Sequence, residues 1–488
     1  MSKIFTYPLQ RHHIVFIVVM LGTFTSVFTA TATLVAMPVI AVDFSADLLT
    51  AQWLVLANFL TVSILLLPIG SLSDAIGRKT IFALGGLLFC LGGVATAMAP
   101  SILWVIAARI LAAVGSAMMQ ACSLAIVANI FPKEMRGQVF GTQLTAVGLG
   151  SMLGPAFGGF LIALLGWRNL YLFTGLIAIS VFYLSLKYFR KIPRSDEQEH
   201  RSFDFMGSII MGLFLITVIL ILSFAPRLGW FNQKIFLAEV LAVILLIAFV
   251  VFERRCAHPL VDFSLFKGRP TLLVSVLAGF LVFMGTSSLR MLVPFFLFFA
   301  YDFGPQLVGL VLLPGAMITA FCAPLVGKFS DSYGARKTAN LGLIAASMAM
   351  LGLSFMTAVT PVWWIVVVMM ISALGTTSFL APNNSAVMSM VPKKDFGLFS
   401  GMLNLARNMG NVVGVALATA IVAMAMAKYG FSPKIPGIDE VVAPDHIEAF
   451  ATGCRWMFRF MLLVSIANTL AMYVSRDADD IDSGGAPI

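Results

Sequence analysis

Charge is scarce in this 488-residue chain: Asp, Glu, Lys and Arg make up 11% of it, against 60% hydrophobic residues, and the mean hydropathy is +0.98. A soluble domain carries about a quarter of its residues as charges, so a water-soluble core under a polar shell is excluded. Cysteine is equally thin. Cys90, Cys122, Cys256, Cys322 and Cys454 form no CxxC pair and no metal-ligand spacing, which removes a disulfide scaffold and a metal site. Four of them lie in or beside apolar segments and read as small hydrophobes. None of His12, His13, His200, His258 and His446 lies well within an apolar run, so a buried histidine proton relay is not expected. No GxxxxGK[ST] loop occurs, so direct driving by ATP is not expected either. The formal net charge of +9 would suggest nucleic acid in a soluble chain. Here it reads as loop charge on one side of a membrane, with no nucleic-acid partner.

What the chain has in abundance is apolar length. A spanning helix needs about 20 mainly apolar residues, and fourteen such runs follow one another from 13–40 to 456–475. They are too long for barrel strands, so helices are the expected spanning element. The first run is preceded by Lys3 and Arg11 and shows no small-residue cleavage site; it is expected to be a retained first helix. With the N-terminus inside, the outer segments hold only Arg168, Arg227, Lys234, Lys428, Lys434 and Arg455 of the 31 basic residues. This bias predicts both termini in the cytoplasm, and an odd number of spans would scramble it. The expected fold class is an all-α polytopic membrane protein with 14 transmembrane helices.

A short stretch occurs twice. Gly70, Asp74 and Gly77, ahead of Arg78 and Lys79, recur 257 residues later as Gly327, Asp331 and Gly334, ahead of Arg336 and Lys337. Two homologous halves are implied, as in many transporters that hold a substrate site between their repeats near mid-membrane. The expected organisation is an N-terminal six-helix half at 1–190, an inserted transmembrane hairpin with its linkers at 191–269, and a C-terminal six-helix half with a short tail at 270–488. Each repeated stretch is read as a tight loop in which glycine permits the turn. Its Asp would accept from the next helix or pair with an Arg such as Arg136, making a conformational latch of Gly70, Asp74, Gly77, Arg78, Lys79, Arg136, Asp331 and Arg336.

The Gly70–Lys79 stretch resembles the signature loop of the major facilitator superfamily, with Ala75 where that family usually has Arg. Arg109 with Gly115 follows in span 4. Gly148, Gly150, Gly154-Pro155 and Gly158-Gly159 in span 5 resemble the motif associated with antiporters, and Trp167-Arg168 comes after them. Gln52-Trp53, Arg136-Gly137, Leu313-Pro314-Gly315-Ala316-Met317, and Arg407 with Gly410 and Gly414 match the fourteen-spanner branch. The chain is similar along its whole length to drug/proton antiporters of the EmrB/QacA type. That resemblance implies a major facilitator fold of two six-helix halves plus the hairpin. It also implies a multidrug-efflux function in a bacterial inner membrane, not an enzyme. The implied partners are the lipid bilayer, an amphiphilic small molecule, H+, and a periplasmic adaptor with an outer-membrane channel. No cofactor is implied. Independently of the family, Gly150, Gly154, Pro155, Gly158 and Gly159 read as a closely packed, bendable helix face; simple tight packing is the alternative to the hinge that the resemblance favours.

The residues also depart from that branch. Its members commonly carry an acidic residue in span 1 at the position occupied here by Thr29. No Asp or Glu lies inside spans 1 to 6 as delimited; Asp43 closes span 1, and Glu239, in the hairpin, is the acidic residue well within a span. Glu239 and Asp43 are therefore the candidates for proton coupling. In place of carboxylates the spans hold Arg109, Arg290, Arg407 and Arg459, cations that are costly in hydrocarbon and belong against protein or water. Thr29, Asn58, Arg109, Gln120, Arg290, Asn383, Asn384 and Arg407 form the candidate cavity lining. An electropositive lining favours an anionic or zwitterionic amphiphile, and an exporter dedicated to such a metabolite, siderophore or lipid is the alternative function. A membrane-embedded enzyme would need clustered His, Asp, Glu or Cys at a membrane face, and the sequence has no such cluster.

Overall fold

The structure, a computed structural model, describes residues 11–131, 136–189, 205–256, 270–391, 396–433 and 443–482. Among these, every regular element is a helix: α1 (Arg11–Asp43), α2 (Leu48–Ala51), α3 (Trp53–Ile76), α4 (Arg78–Ala97), α5 (Ile102–Ile130), α6 (Arg136–Leu165), α7 (Trp167–Tyr188), α8 (Phe205–Leu228), α9 (Gln233–Glu253), α10 (Pro270–Tyr301), α11 (Pro305–Tyr333), α12 (Ala335–Leu353), α13 (Val362–Met390), α14 (Phe396–Lys428) and α15 (Pro444–Asp482). Setting aside the four-residue α2, these are the fourteen long helices that the apolar runs predict. Thirteen spans pass on length and hydropathy; α12, with 19 residues and two basic residues in its first turn, is the other long helix. Internal prolines such as Pro155 and Pro382 are accommodated, because neighbouring helices and polar side chains re-satisfy the freed backbone groups.

The helices gather into two compact units. The first comprises residues 1–46, 53–208 and 304–310; the second comprises 47–52, 209–303 and 311–488. The inserted hairpin α8–α9 falls mostly in the second unit, and so does the segment Asp47–Gln52 that joins α1 to α3. In the first unit α1 packs on α6 and α4 packs on α5 and α7; in the second, α10 packs on α14 and α12 on α13 and α15. The first core is built by Phe16, Phe82, Phe89, Met119 and Val181, the second by residues such as Leu343, Phe379 and Phe399. Full burial of side chains of this size contributes about 1.5–3 kcal/mol each in water-soluble proteins. In lipid, close packing replaces that driving force.

The repeat persists to the level of single hydrogen bonds, with one correction to its shape. Gly70 to Ile76 is not a loop: it continues α3, and Gly327 to Tyr333 likewise continues α11. The turn is a single residue, Gly77 at φ +115° and Gly334 at φ +99°, where an L side chain would be strained. Gly77 N–H donates to Ser73 O at 2.9 Å and Gly334 N–H to Ser330 O at 2.9 Å. Ile81 N–H then donates to Gly77 O, and Thr338 N–H to Gly334 O. The stretch stays helical because Ser73 Oγ is satisfied on Gly70 O at 2.7 Å and Ser332 Oγ on Phe329 O at 3.1 Å, and because no proline interrupts it. A second correction concerns the last span, which begins at Pro444 rather than near 456. Arg459, exposed on α15, is thus four turns into that helix rather than at its mouth.

Candidate functional site

The two helix pairs α1–α6 and α10–α14 carry the glycine motif together with Thr29, Arg290 and Arg407. On α6, a Cβ at Gly150 would lie 3.0 Å from Phe24 O, and one at Gly154 would lie 2.9 Å from Phe28 O and also meet Thr31. A Cβ at Gly158 would lie 2.7 Å from that of Ala32. Only glycine permits this approach. Thr31 Oγ1 donates across the seam to Gly150 O at 3.2 Å. On the other face of α6, Gly159 meets Pro305 O, at the start of α11 in the same unit. The same construction holds α14 on α10: Gly410 meets Phe280 O, Gly414 meets Met284 O, and Ser288 Oγ donates to Gly414 O at 3.0 Å. In both units these glycines are seats for a neighbouring backbone.

In the first unit the structure brings together Arg109, Tyr171 and Thr33. Arg109 on α5 is 2% exposed, and its guanidinium carbon lies 5.3 Å from the Tyr171 ring centroid, within cation–π range. Tyr171 OH and Thr33 Oγ1 are 3.2 Å apart. Among the described residues no hydrogen-bond acceptor reaches the Arg109 guanidinium, and its Nε is buried without one. Among the described residues the cation therefore has an aromatic face and no counter-charge. The chain carries no Asp or Glu between Asp74 and Glu134. Thr29, the family's acidic position, is buried and donates to Thr25 O at 2.7 Å, so its hydroxyl is spent within α1. Gln120 is exposed and bonds Ser116 on its own helix. Asn58 is partly exposed.

In the second unit Arg407 on α14 donates to Asn404 Oδ1, one turn earlier, and lies 5.9 Å from the Phe283 ring of α10. Arg290, seven residues beyond Phe283, is exposed although it lies in the middle of a helix whose neighbouring residues are buried. Asn383 is 1% exposed and donates to Ser275 O at 3.2 Å, leaving its Oδ1 buried without a donor. Its role is to tie α13 to α10. Asn384 is partly exposed, and among the described residues no hydrogen bond joins it or Asn58 to another candidate.

The two carboxylates proposed for coupling differ. Asp43 ends α1 and is exposed; its Oδ2 accepts from Arg168 Nη1 at 2.8 Å and from Trp167 Nε1 at 3.0 Å. Glu239 lies partly exposed on α9. Of the latch, Gly77 and Gly334 are the turns described above, and Arg78, Lys79 and Arg336 are partly buried at the helix starts. The side chains of Asp74, Asp331 and Arg136 lie outside the described residues. Among the described residues no group of three His, Cys, Asp or Glu could hold a metal ion.

One buried network escapes sequence reasoning. Gln52 is fully buried; its Nε2 donates to Leu49 O at 3.1 Å and to Ser223 Oγ of α8 at 3.2 Å, while Thr419 Oγ1 of α14 donates to its Oε1. Beside it Arg227 of α8 pairs with Asp47 and bonds Thr50 Oγ1 at 3.0 Å, and Leu48 N–H donates to Pro433 O at 2.9 Å. The α1–α3 connector is thereby pinned to α8 and α14. Gln52→Leu is expected to cost about 1–3 kcal/mol, since it strips partners from buried polar groups. Thr419→Val should cost a comparable amount, because buried Gln52 Oε1 loses its donor while Nε2 keeps its two acceptors. Thermal unfolding of the purified protein reads both, and an unchanged midpoint in either variant would refute the network. The signal in the sequence is the polar Gln52 opening an apolar span, which says nothing about where its partners lie.

The family model described as Major Facilitator Superfamily matches residues 19–415 and 275–483. The riboflavin transporter RibZ of Clostridioides difficile is 29% identical over 418 residues, covering 86% of this chain and 90% of that protein. The lincomycin resistance protein LmrB of Bacillus subtilis is 22% identical over 465 residues, 95% of each chain. The multidrug resistance protein Stp of Mycobacterium tuberculosis is 27% identical, covering 83% of this chain and 74% of that one. Among solved structures, a bacterial homologue of the human lysosomal transporter Spinster superposes with a TM-score of 0.71 at 17% identity, covering 99% of this chain and 100% of the other.

Proposed function

Given that the chain belongs to the major facilitator superfamily and is a multi-pass membrane transporter, we propose that it exports amphiphilic small molecules by alternating access. The observation that carries this reading is the glycine-and-proline face of α6 seated on α1, the segment that resembles the antiporter motif of the fourteen-spanner drug/proton branch. The resistance proteins among its relatives support efflux, and the riboflavin transporter supports an aromatic, amphiphilic cargo. The chain then sits in a bacterial inner membrane with both termini cytoplasmic, as the basic residues of its loops favour. An adaptor and outer-membrane channel would complete the export route where a second membrane exists. Conformational change would act on the ends of α3 and α11, where Gly77 and Gly334 turn directly into basic helix starts. Proton antiport is the proposed driving reaction, with Glu239 and Asp43 as its carboxylates.

Proteoliposomes holding the purified protein, an imposed pH gradient and an internal pH dye test this. Addition of an amphiphilic substrate is expected to evoke proton movement, reduced at least tenfold in Glu239→Gln or Asp43→Asn. Substrate flux without proton movement would retire the antiport and leave transport standing. No flux of any amphiphile would retire the export reading.

A further inference from the structure

The geometry points to a subsite on α10 and α14 for the anionic group of an aromatic amphiphile, bound by Arg290 and Arg407 on either side of the Phe283 ring. The inference rests on the transport reading above and names its cargo: a molecule with a carboxylate, sulfonate or phosphate next to an aromatic ring.

Phe283, Ser287 and Arg290 follow one another at intervals of four and three residues on α10, so they share one stripe of the helix. That stripe is the one turned to α14: the Phe283 Cβ lies 3.1 Å from a Cβ built at Gly410, and Ser287 Oγ donates to Gly410 O at 3.5 Å. Arg407 precedes Gly410 by one turn, and Asn404 fixes its guanidinium over the Phe283 face. Arg290 lies seven residues further along, about 10 Å at 1.5 Å rise per residue. Two arginine side chains at that spacing can both reach a ligand lying on the ring.

Neither cation is neutralised nearby by sequence. Residues 263 to 301 contain no Asp or Glu, and none lies between Asp395 and Asp439. An exposed guanidinium in mid-helix cannot face hydrocarbon cheaply, so Arg290 borders water or a cavity. A neutral or cationic cargo would leave both guanidinium charges without an anionic partner from these two helices. An anionic group would gain charge-assisted hydrogen bonds of planar, two-pronged geometry, which arginine offers and lysine does not.

The internal repeat supplies a control. α1 and α6 reproduce the α10–α14 seam with glycines and a cross-seam hydroxyl bond, yet α1 has no charged residue between His13 and Asp43 and α6 none after Arg136. The packing therefore does not need a cation. Arg290 and Arg407 are additions to a construction that stands without them, and their polarity, sign and placement beside an aromatic ring are those of a ligand site.

The test uses two dyes on one xanthene scaffold, anionic fluorescein and cationic rhodamine 123, with the full-length protein in lipid nanodiscs. Fluorescence polarisation is expected to show saturable fluorescein binding. Arg290→Gln and Arg407→Gln should each weaken it by about tenfold, and rhodamine 123 binding should be unchanged or tighter. Arg290→Lys and Arg407→Lys, which keep the charge and fold under the same constraints, should retain part of the affinity. Absence of saturable fluorescein binding, or binding that the two glutamine variants leave unchanged, overturns the inference. Flux in proteoliposomes separates this from the export reading: movement of rhodamine 123 with no arginine-dependent fluorescein binding sinks the anion subsite alone. Arginine-dependent fluorescein binding with no flux of either dye sinks the export reading alone.

Discussion

Gly154→Val is expected to remove at least nine-tenths of transport activity and most of the correctly folded protein. At Gly154 a Cβ alone meets the Phe28 carbonyl oxygen at 2.9 Å and the Thr31 hydroxyl; the first of these is backbone and cannot swing aside. Overpacking a tight core costs about 1–3 kcal/mol and occasionally more, and two γ-methyls would push α6 off α1 along the face that also holds the Thr31–Gly150 bond. The repeat predicts the same outcome for Gly414→Val, where Met284 O and Ser287 Oγ occupy the space. Gly279→Ala, on α10 but with nothing within 4 Å of the added carbon, is the matched control and should leave yield and transport unchanged. Size-exclusion profiles and melting curves of the three proteins decide the matter. A monodisperse, active Gly154→Val protein would show that the seam tolerates separation and that its glycines are not there for close approach.

How much of this was legible beforehand depends on the kind of interaction. Helix number and class follow from apolar run length, a local quantity, and the runs land within a few residues of most helix ends. The end at Pro444 is not legible because Asp445, His446 and Glu448 lower the hydropathy of the first three turns, in which Phe450, Ala451 and Cys454 are buried. The helical continuation through Gly70 and Gly327 is not legible because glycine and serine prefer loops, a preference that the bonds of Ser73 and Ser332 to their own helices offset. Pairing across long separations was out of reach altogether. Gln52 and Thr419 lie 367 residues apart, and nothing local in either distinguishes a network from two solvated polar groups.

The candidate site divides on the same line. Arg109, Arg290 and Arg407 were legible as costly charges in apolar runs. Their three environments were not: one buried against Tyr171, one exposed in mid-helix, one held by Asn404 over Phe283. Thr29 and Asn383 illustrate the converse. Both are polar residues at suggestive positions, and in the structure each spends its hydrogen bond on backbone, Thr29 within α1 and Asn383 across to α10. A polar side chain in a membrane helix announces that it needs a partner without saying whether the partner is cargo or the neighbouring turn.

Arg109→Met is expected to stabilise the protein while abolishing its function. The guanidinium is 2% exposed, meets no acceptor among the described residues, and has only the Tyr171 face for compensation. A cation–π contact contributes about 0.5–2 kcal/mol, less than the several kcal/mol that withdrawing a cation from water costs. Replacing an uncompensated buried charge with an apolar chain of similar length should thus raise stability by about 2 kcal/mol, seen as a higher midpoint of thermal unfolding. Transport should fall at least tenfold in the same protein, on the proposal that a charge kept at such a cost serves the transport cycle. Tyr171→Phe separates the two contributions: it keeps the aromatic face, loses the bond to Thr33 and is expected to leave the melting temperature nearly unchanged. Loss of stability in Arg109→Met would overturn this account and make the arginine a structural strut. Full transport in a stabilised variant would instead leave the charge without a purpose in the cycle.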